Sequence, residues 1–146
     1  MASNRHLGRI IALQTLYEAE FHGASYTEQE ISDTYKRNLS RYEKAVKDTE
    51  FVQQLIMGVF KEKHELDAIL SPIAPDWPLE QISKVDLTIL RIAIYELLHY
   101  QADVPPKVVI NEAVELAKSF GSDNSSRFVN GVLGTALKTI SKDKKK

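Results

Sequence analysis

The stretch VDLTILRIAIYELLHY, Val85 to Tyr100, is the most apolar part of the chain and decides the fold class. Apolar residues fall on nearly every side of a helical wheel drawn through it, which is typical of a helix at the centre of a helical bundle. SKVD, Ser83 to Asp86, starts this helix. Arg91 needs a carboxylate partner because an unpaired buried charge is costly, and Glu112 and Glu115 are the candidates.

Helical periodicity continues on both sides of this stretch. Upstream, one helix is predicted from about Arg5 to Phe21, ending at Gly23, and another from about Lys44 to His64. TEQE, Thr27 to Glu30, has the spacing of a capping box at the start of a further helix. Downstream, an amphipathic helix ends at Phe120 and a last helix follows. No strand pattern competes with this interpretation, so the chain is predicted to be all-α.

Three prolines interrupt the middle of the chain. They lie in SPIAPDWPLEQ, residues 71–81, together with the single tryptophan, Trp77. Because proline fixes φ and removes a hydrogen-bond donor, this segment is predicted to join two halves, with Trp77 anchoring the connection. The halves cover about residues 5–70 and about residues 78–140, within one helical domain of residues 1–140. The basic run SKDKKK, residues 141–146, is predicted to be a disordered tail.

The composition excludes several classes of protein. With 146 residues, 43% of them hydrophobic and 27% charged, the chain has the balance of a folded protein, forming one domain or two small helical halves. A net charge of -1 gives no overall basic field, so any nucleic-acid binding must rest on local patches. The N-terminus lacks the apolar core of a secretory signal, and no run reaches the roughly 18 apolar residues of a membrane span. We therefore expect no membrane partner and a cytoplasmic location.

Residues that serve in catalytic and metal sites are not arranged as those sites require. Cysteine is absent, and the histidines, at positions 6, 22, 64 and 99, never stand at the i, i+4 spacing of a helical metal pair. Ser125 and Ser126 have no histidine nearby in the sequence. We therefore expect no catalytic residue, metal or cofactor, and a binding role rather than an enzymatic one.

The first predicted helix carries one candidate binding face. Arg5 and Arg9 lie one turn apart, with His6 beside them, opposite the apolar side of the helix. That apolar side comprises Leu7, Ile10, Ile11, Tyr17 and Phe21. Two guanidinium groups at this spacing suit successive phosphates. The alternative is a solvated face that only keeps the protein soluble. With no more than two arginines as evidence, this alternative is favoured.

The second candidate is RFVNGVLG, Arg127 to Gly134, in the last helix. Its polar residues and glycines share one face because they follow i, i+3, i+4, i+7 and i+11; they are Arg127, Asn130, Gly131, Gly134 and Lys138. Positions without a side chain let a nucleotide or another backbone approach closely. Packing against a neighbouring helix, with Asn130 bonded to a carbonyl, explains the spacing equally well.

Three stretches resemble the NusB family of bacterial transcription antitermination factors. They are ALQTLYEAEF near the N-terminus, VDLTILRIAIYELL, and DVPPKVVINEAVELAKSFGSDNSSRFVNGVL. The match covers both halves and is densest from Val85 to Leu133. The resemblance implies two small helical bundles packed side by side, with about seven helices in all.

The resemblance also implies a function. Family members bind the boxA element of ribosomal RNA leader transcripts together with NusE, a small-subunit ribosomal protein. They act in the RNA polymerase antitermination complex and support ribosomal RNA synthesis without catalysis or a cofactor. Some members self-associate, which leaves a homodimer open.

The family likeness assigns candidate RNA contacts. The arginine-rich N-terminal motif of the family is carried here by Arg5, His6 and Arg9. The FVNG segment lies near the RNA in such proteins, so Phe128 is a candidate for stacking on a base. The polar residues expected around it are Arg127, Asn130 and Lys138.

The N-terminal motif departs from the family pattern, because RHLGR stands where many members have a dense arginine cluster. Fewer charges predict weaker RNA binding, a shallower salt dependence and a greater reliance on NusE. Two alternatives remain. One is an RNA-binding accessory domain of a ribosomal RNA methyltransferase, which would need a methyltransferase domain after KDKKK. The other is a structural helical partner protein with no affinity for RNA.

Overall fold

The computed structural model describes residues 2–42, 44–73 and 81–144, and this part of the chain is helical. It contains seven α-helices, a short 3₁₀ turn at Gly23–Ser25 and no strand. The helices are α1 (Ala2–His22), α2 (Glu28–Ser40), α3 (Thr49–Lys61), α4 (Lys63–Ile73), α5 (Lys84–His99), α6 (Pro106–Phe120) and α7 (Ser125–Lys144). The all-α prediction is confirmed. None of these helices has the length and apolar character needed to cross a bilayer.

The chain divides into two compact units, Met1–Lys61 with α1 to α3 and Glu62–Lys146 with α4 to α7. The division falls before the proline-rich segment at which the sequence predicted it, because α4 packs on α5 and α7. The structure places Pro72 in the last turn of α4. Trp77 lies outside the described residues, as do Pro75 and Pro78, so its anchoring role stays a prediction.

Local signals set the ends of the helices in the first unit. Gly23 has φ +73°, a left-handed conformation that suits glycine and ends α1 as predicted. The capping box is also confirmed, with the Glu30 N–H donating to Thr27 Oγ1 and the Thr27 N–H donating to Glu30 Oε1, each at 3.1 Å. The helix predicted from Lys44 begins later, as α3, because Asp48 caps it by accepting the Phe51 N–H at 3.1 Å. It stops at Lys61, and α4 follows as a separate helix.

The core of the first unit lies where α1 packs on α2 and α3. Its fully buried side chains are Ile11, Ala12, Ile31, Val52, Leu55 and Ile56. Each buried isoleucine or leucine stabilises the fold by about 1.5–3 kcal/mol relative to an exposed one. Phe21 was predicted in this core but is 60% exposed, because α1 turns the side with Ile11 and Ala12 inward.

In the second unit α5 is the buried centre, as the sequence predicted. Every residue from Asp86 to Ile94 is buried, and α5 contacts α4, α6 and α7. Arg91 obtains the carboxylate that it requires from Asp67 of α4. The sequence patterns around α5 did not indicate this partner. The last helix, α7, continues to Lys144, past the predicted end at Ile140. Residues 145–146 lie outside the described part.

Candidate nucleic-acid interface

Arg5, in the second turn of α1, is oriented by α3 and the residues before it. Its side chain is 28% exposed, and its Nη2 lies 3.7 Å from Asp48 Oδ2. Its guanidinium carbon lies 4.5 Å from the centroid of the Phe51 ring, within reach of a cation–π interaction. An ion pair of this length at the surface contributes at most about 1 kcal/mol. Arg5 therefore keeps accessible surface with which to contact a phosphate.

Arg9 does not share that accessibility. It is 2% exposed, and its guanidinium carbon lies 5.3 Å from the centroid of the same Phe51 ring. The expectation that Arg9 lies beside Arg5 on an outward face was wrong, because α1 turns this side toward α3. His6, between the two arginines in sequence, is half-buried.

Gly8 gives a physical reason for the interrupted arginine cluster. A Cβ placed on Gly8 would lie 2.7 Å from Val52 Cγ2, closer than real Cβ contacts allow. The backbone of α1 therefore approaches α3 closely at this point, which only glycine permits without a shift of Val52 or of the helices. The same approach brings Arg5 and Arg9 over Phe51.

The polar face predicted on α7 is confirmed as an exposed surface. We define the α7 stripe as Arg127, Asn130, Gly131, Gly134 and Lys138. Arg127, Asn130, Gly131 and Lys138 are exposed and Gly134 is half-buried, whereas Val129, Leu133 and Ala136 on the other side are fully buried. Within residues 2–42, 44–73 and 81–144, no hydrogen bond or ion pair engages the side chains of Arg127, Asn130 and Lys138. The polar side chains of the stripe are thus solvated and have no hydrogen-bond partner among the described residues.

The glycines of the stripe do not serve helix packing within the described chain. A Cβ on Gly131 or Gly134 would meet no atom within 4 Å. The packing explanation left open by the sequence required a neighbouring helix here and a carbonyl bonded to Asn130, and the described residues supply neither. What the two glycines do provide is a shallow surface between Arg127 and Lys138.

Phe128 lies beside the stripe and borders a cleft of about 380 Å³. It is half-buried, at the edge of the apolar side where the wheel placed it. The cleft is formed by the start of α5 and the connection from α6 to α7, and its other lining residues are Gln81, Ile82, Ser83, Asp86, Ser122, Asn124 and Ser125. The connection is held in shape because the Ser122 N–H donates to Ser125 Oγ at 2.9 Å.

The predicted site residues fall in both units. Arg5, His6 and Arg9 belong to the first unit, and the α7 stripe with Phe128 to the second.

Sequence reasoning missed Asp86, which lines the cleft, because an acidic residue in the first turn of a helix is ordinary. It also missed Phe51, whose ring contacts both arginines although it lies far from them in sequence. In the described part of the chain, no group of three histidine, aspartate or glutamate side chains is placed to hold a metal ion.

Comparisons with known proteins identify relatives over nearly the whole length. The NusB family model matches residues 6–138. A protein of Chloroflexus aggregans named transcription antitermination protein NusB is 46% identical over 138 residues, which cover 94% of this chain and 89% of that protein. The structure of T. maritima NusB superposes with a TM-score of 0.80 at 30% identity, covering 92% of this chain and 90% of that one. A crystal structure of antitermination factors NusB and NusE in complex with dsRNA has the same fold, with a TM-score of 0.78 at 23% identity over 95% of this chain and 99% of that one. On the family match and the sequence identity, the chain belongs to the NusB family.

Proposed function

We propose that this chain is a transcription antitermination factor of the cytoplasm, which binds boxA RNA of ribosomal RNA leader transcripts together with NusE. In the antitermination complex it helps RNA polymerase to resist termination during ribosomal RNA synthesis. The observation that carries the proposal is 46% identity, over 94% of the chain, to a protein named for transcription antitermination. The fold likeness to a NusB chain crystallised with NusE and RNA supports the same choice of partners.

The α7 stripe is the proposed contact of the second unit with RNA. Arg127 and Lys138 supply charges for phosphates, and the side-chain amide of Asn130 supplies a donor and an acceptor for a base edge or a sugar. Gly131 and Gly134 let the RNA backbone lie close to the helix, since neither position carries a side chain and the space above each is open. Phe128 offers the ring on which a base stacks, and such stacking contributes about 1–3 kcal/mol per base.

The first unit contributes Arg5 and His6 to the proposed RNA interface. Arg9 is buried and does not contact the RNA. Because Arg9 and Arg5 contact the same Phe51 ring, Arg9 fixes the ring on which the Arg5 guanidinium rests. Arg5 is therefore the proposed phosphate contact, and Arg9 a positioning residue.

The experiment is a titration of boxA RNA, with and without NusE, at several salt concentrations. Binding should be tighter with NusE and weaker for a scrambled RNA of the same composition. Lys138→Ala should make the salt slope shallower by about 0.7, as expected for one lost phosphate contact on a single strand. Lys118→Ala on α6 is the matched control, because Lys118 is exposed and pairs only weakly, at 3.6 Å, with Glu115. Binding that neither NusE nor the RNA sequence affects would overturn the proposal.

A further inference from the structure

Asp48 contacts two groups with one carboxylate. Its Oδ1 accepts the Phe51 N–H at 3.1 Å and thereby caps the start of α3, while its Oδ2 lies 3.7 Å from Nη2 of Arg5. The side chains of Asp48 and Arg5 are 44% and 28% exposed, so solvent reaches both members of the pair. The arginine that is proposed to contact a phosphate therefore already faces an anion of the protein itself.

The contact between Arg5 and Asp48 is weaker than the contact that Arg5 can make with RNA. A distance of 3.7 Å is too long for a hydrogen bond, whereas a guanidinium donates to a carboxylate or a phosphate at about 2.7–2.9 Å. The cap restrains the carboxylate of Asp48, because its other oxygen accepts the Phe51 N–H. A phosphate of RNA has no such restraint and can accept two hydrogen bonds from the same guanidinium.

The pair can open without leaving a buried charge unsatisfied. Asp48 keeps its hydrogen bond to the Phe51 N–H and its exposure to solvent. Arg5 keeps the Phe51 ring, whose centroid lies 4.5 Å from its guanidinium carbon. A solvated ion pair contributes little to stability, in contrast to a buried one, so the cost of opening this pair is small.

We propose that Asp48 occupies, in the free protein, the place on Arg5 that an RNA phosphate takes in the complex, so that RNA binding exchanges one anion for the other. The inference rests on the proposed RNA-binding function and assigns to Asp48 a limiting effect on RNA affinity. Arg5 gains its phosphate contact only against the loss of the contact with Asp48. Asp48 is a positioning residue, since it acts on RNA binding through Arg5.

Two other effects of the Asp48 carboxylate would give different results on mutation. If the carboxylate only repelled the RNA backbone at a distance, its removal would tighten binding whether or not Arg5 is present. If it held Arg5 ready for a phosphate, its removal would weaken binding, because preorganisation would be lost. Competition for Arg5 is the effect that tightens binding only while Arg5 is present.

The test compares Asp48→Asn with the wild type in titrations of fluorescein-labelled boxA RNA in the presence of NusE. Asparagine caps a helix about as well as aspartate, and the loss of the charge beside the helix dipole should lower the melting temperature by no more than about 5 °C. RNA affinity should rise about fivefold, which corresponds to the roughly 1 kcal/mol that an exposed ion pair contributes at most.

Glu50→Gln is the matched control for the change in net charge. Glu50 is an exposed carboxylate in the first turn of α3, and its Oε1 accepts from Gln54 Nε2 at 3.3 Å. The substitution removes the same charge as Asp48→Asn, close to it in the sequence, but leaves the pair with Arg5 in place. RNA affinity should change by less than about twofold, and a gain as large as that of Asp48→Asn would assign the effect to net charge and overturn the inference.

The same substitution in an Arg5→Ala background separates exchange from repulsion. There Asp48→Asn should change RNA affinity by less than about twofold, because the arginine for which the two anions compete is absent. An equal gain in both backgrounds, no gain in either, or weaker binding by Asp48→Asn overturns this inference and leaves the RNA-binding proposal standing. If boxA RNA fails to bind in the presence of NusE, the proposed function fails and the inference fails with it.

Discussion

Arg9 and Phe51 form a buried cation–ring contact between α1 and α3, with the guanidinium carbon of Arg9 5.3 Å from the centroid of the ring. The same ring lies 4.5 Å from the guanidinium carbon of Arg5, which is partly exposed. One aromatic side chain therefore positions two arginines. The buried Arg9 stabilises the fold, and the partly exposed Arg5 is available to a ligand. The two arginines of the N-terminal motif should consequently respond differently to mutation.

Arg9→Ala should lower the free energy of unfolding by about 2–3 kcal/mol, because it removes a buried side chain and a cation–π contact. Arg5→Ala should lower it by less than about 1 kcal/mol, since its ion pair is long and partly solvated. Urea denaturation followed by circular dichroism measures both values. Equal transitions for the two variants would show that Arg9 is not a structural residue.

Three glycines of this chain should respond to the same substitution in different directions. Gly131→Ala should raise the free energy of unfolding by about 0.5–1 kcal/mol, because alanine favours the helix and the added Cβ meets nothing within 4 Å. Gly23→Ala should lower it by about 1 kcal/mol, because of the left-handed φ of +73°. Gly8→Ala should lower it by about 1–3 kcal/mol, through the contact with Val52.

Thermal melts of the three variants check whether each substitution raises or lowers the stability. A fourth variant, at Gly131, tests the RNA interface by RNA titration. Gly131→Leu places a large side chain on the exposed α7 stripe, at a position where the Cβ meets nothing within 4 Å. It should raise the melting temperature, because leucine, like alanine, favours the helix over glycine, but weaken boxA binding about tenfold, by keeping the RNA backbone away from the helix. Wild-type affinity in this variant would remove the stripe from the interface.

Asp67 and Arg91 form a two-bonded, mostly buried ion pair in the second unit. Arg91 Nε and Nη2 donate to the two oxygens of Asp67, each at 2.8 Å, and the Arg91 side chain is 6% exposed. Asp67→Ala should lower the free energy of unfolding by about 3 kcal/mol, because it leaves a buried guanidinium without this carboxylate. Glu115→Ala is the control, since its pair with Lys118 is solvated on both sides and contributes less than about 0.5 kcal/mol. Similar effects of the two mutations in guanidinium denaturation would contradict the assigned importance of the buried pair.

Sequence reasoning succeeded where a single helix contains the whole signal. The apolar composition of α5 requires burial on all sides, and the spacing of Arg127, Asn130 and Lys138 places them on one face whichever helices lie nearby. The glycine at position 23 and the capping box at Thr27 also act within a few residues, and both are present in the structure.

It failed where the deciding partner comes from another helix. The wheel of α1 separates polar from apolar residues, but the inward direction is set by the approach of α3 at Gly8, which buries Arg9. The carboxylate that pairs with Arg91 comes from Asp67, in a helix that the sequence pattern did not separate from its neighbour. Asp86 lines a cleft that is formed by two distant segments of the chain. Each of these facts depends on tertiary packing, which spacing along one helix does not encode.

Asn130→Ala distinguishes a contact residue from a structural one. Asn130 is exposed, and no described residue bonds its amide, so the mutation should leave the free energy of unfolding unchanged or raise it by up to about 0.7 kcal/mol through helix propensity. Affinity for boxA RNA in the presence of NusE should fall about tenfold, because the amide hydrogen bond to the RNA is lost. Asn111→Ala on α6 is the matched control, because Asn111 is exposed and lies outside the α7 stripe. It should leave the affinity for boxA RNA unchanged and should change the free energy of unfolding by no more than about 0.7 kcal/mol. A loss of stability with unchanged RNA affinity would assign Asn130 to the scaffold, and the RNA contact would then rest on Arg127, Lys138 and Phe128.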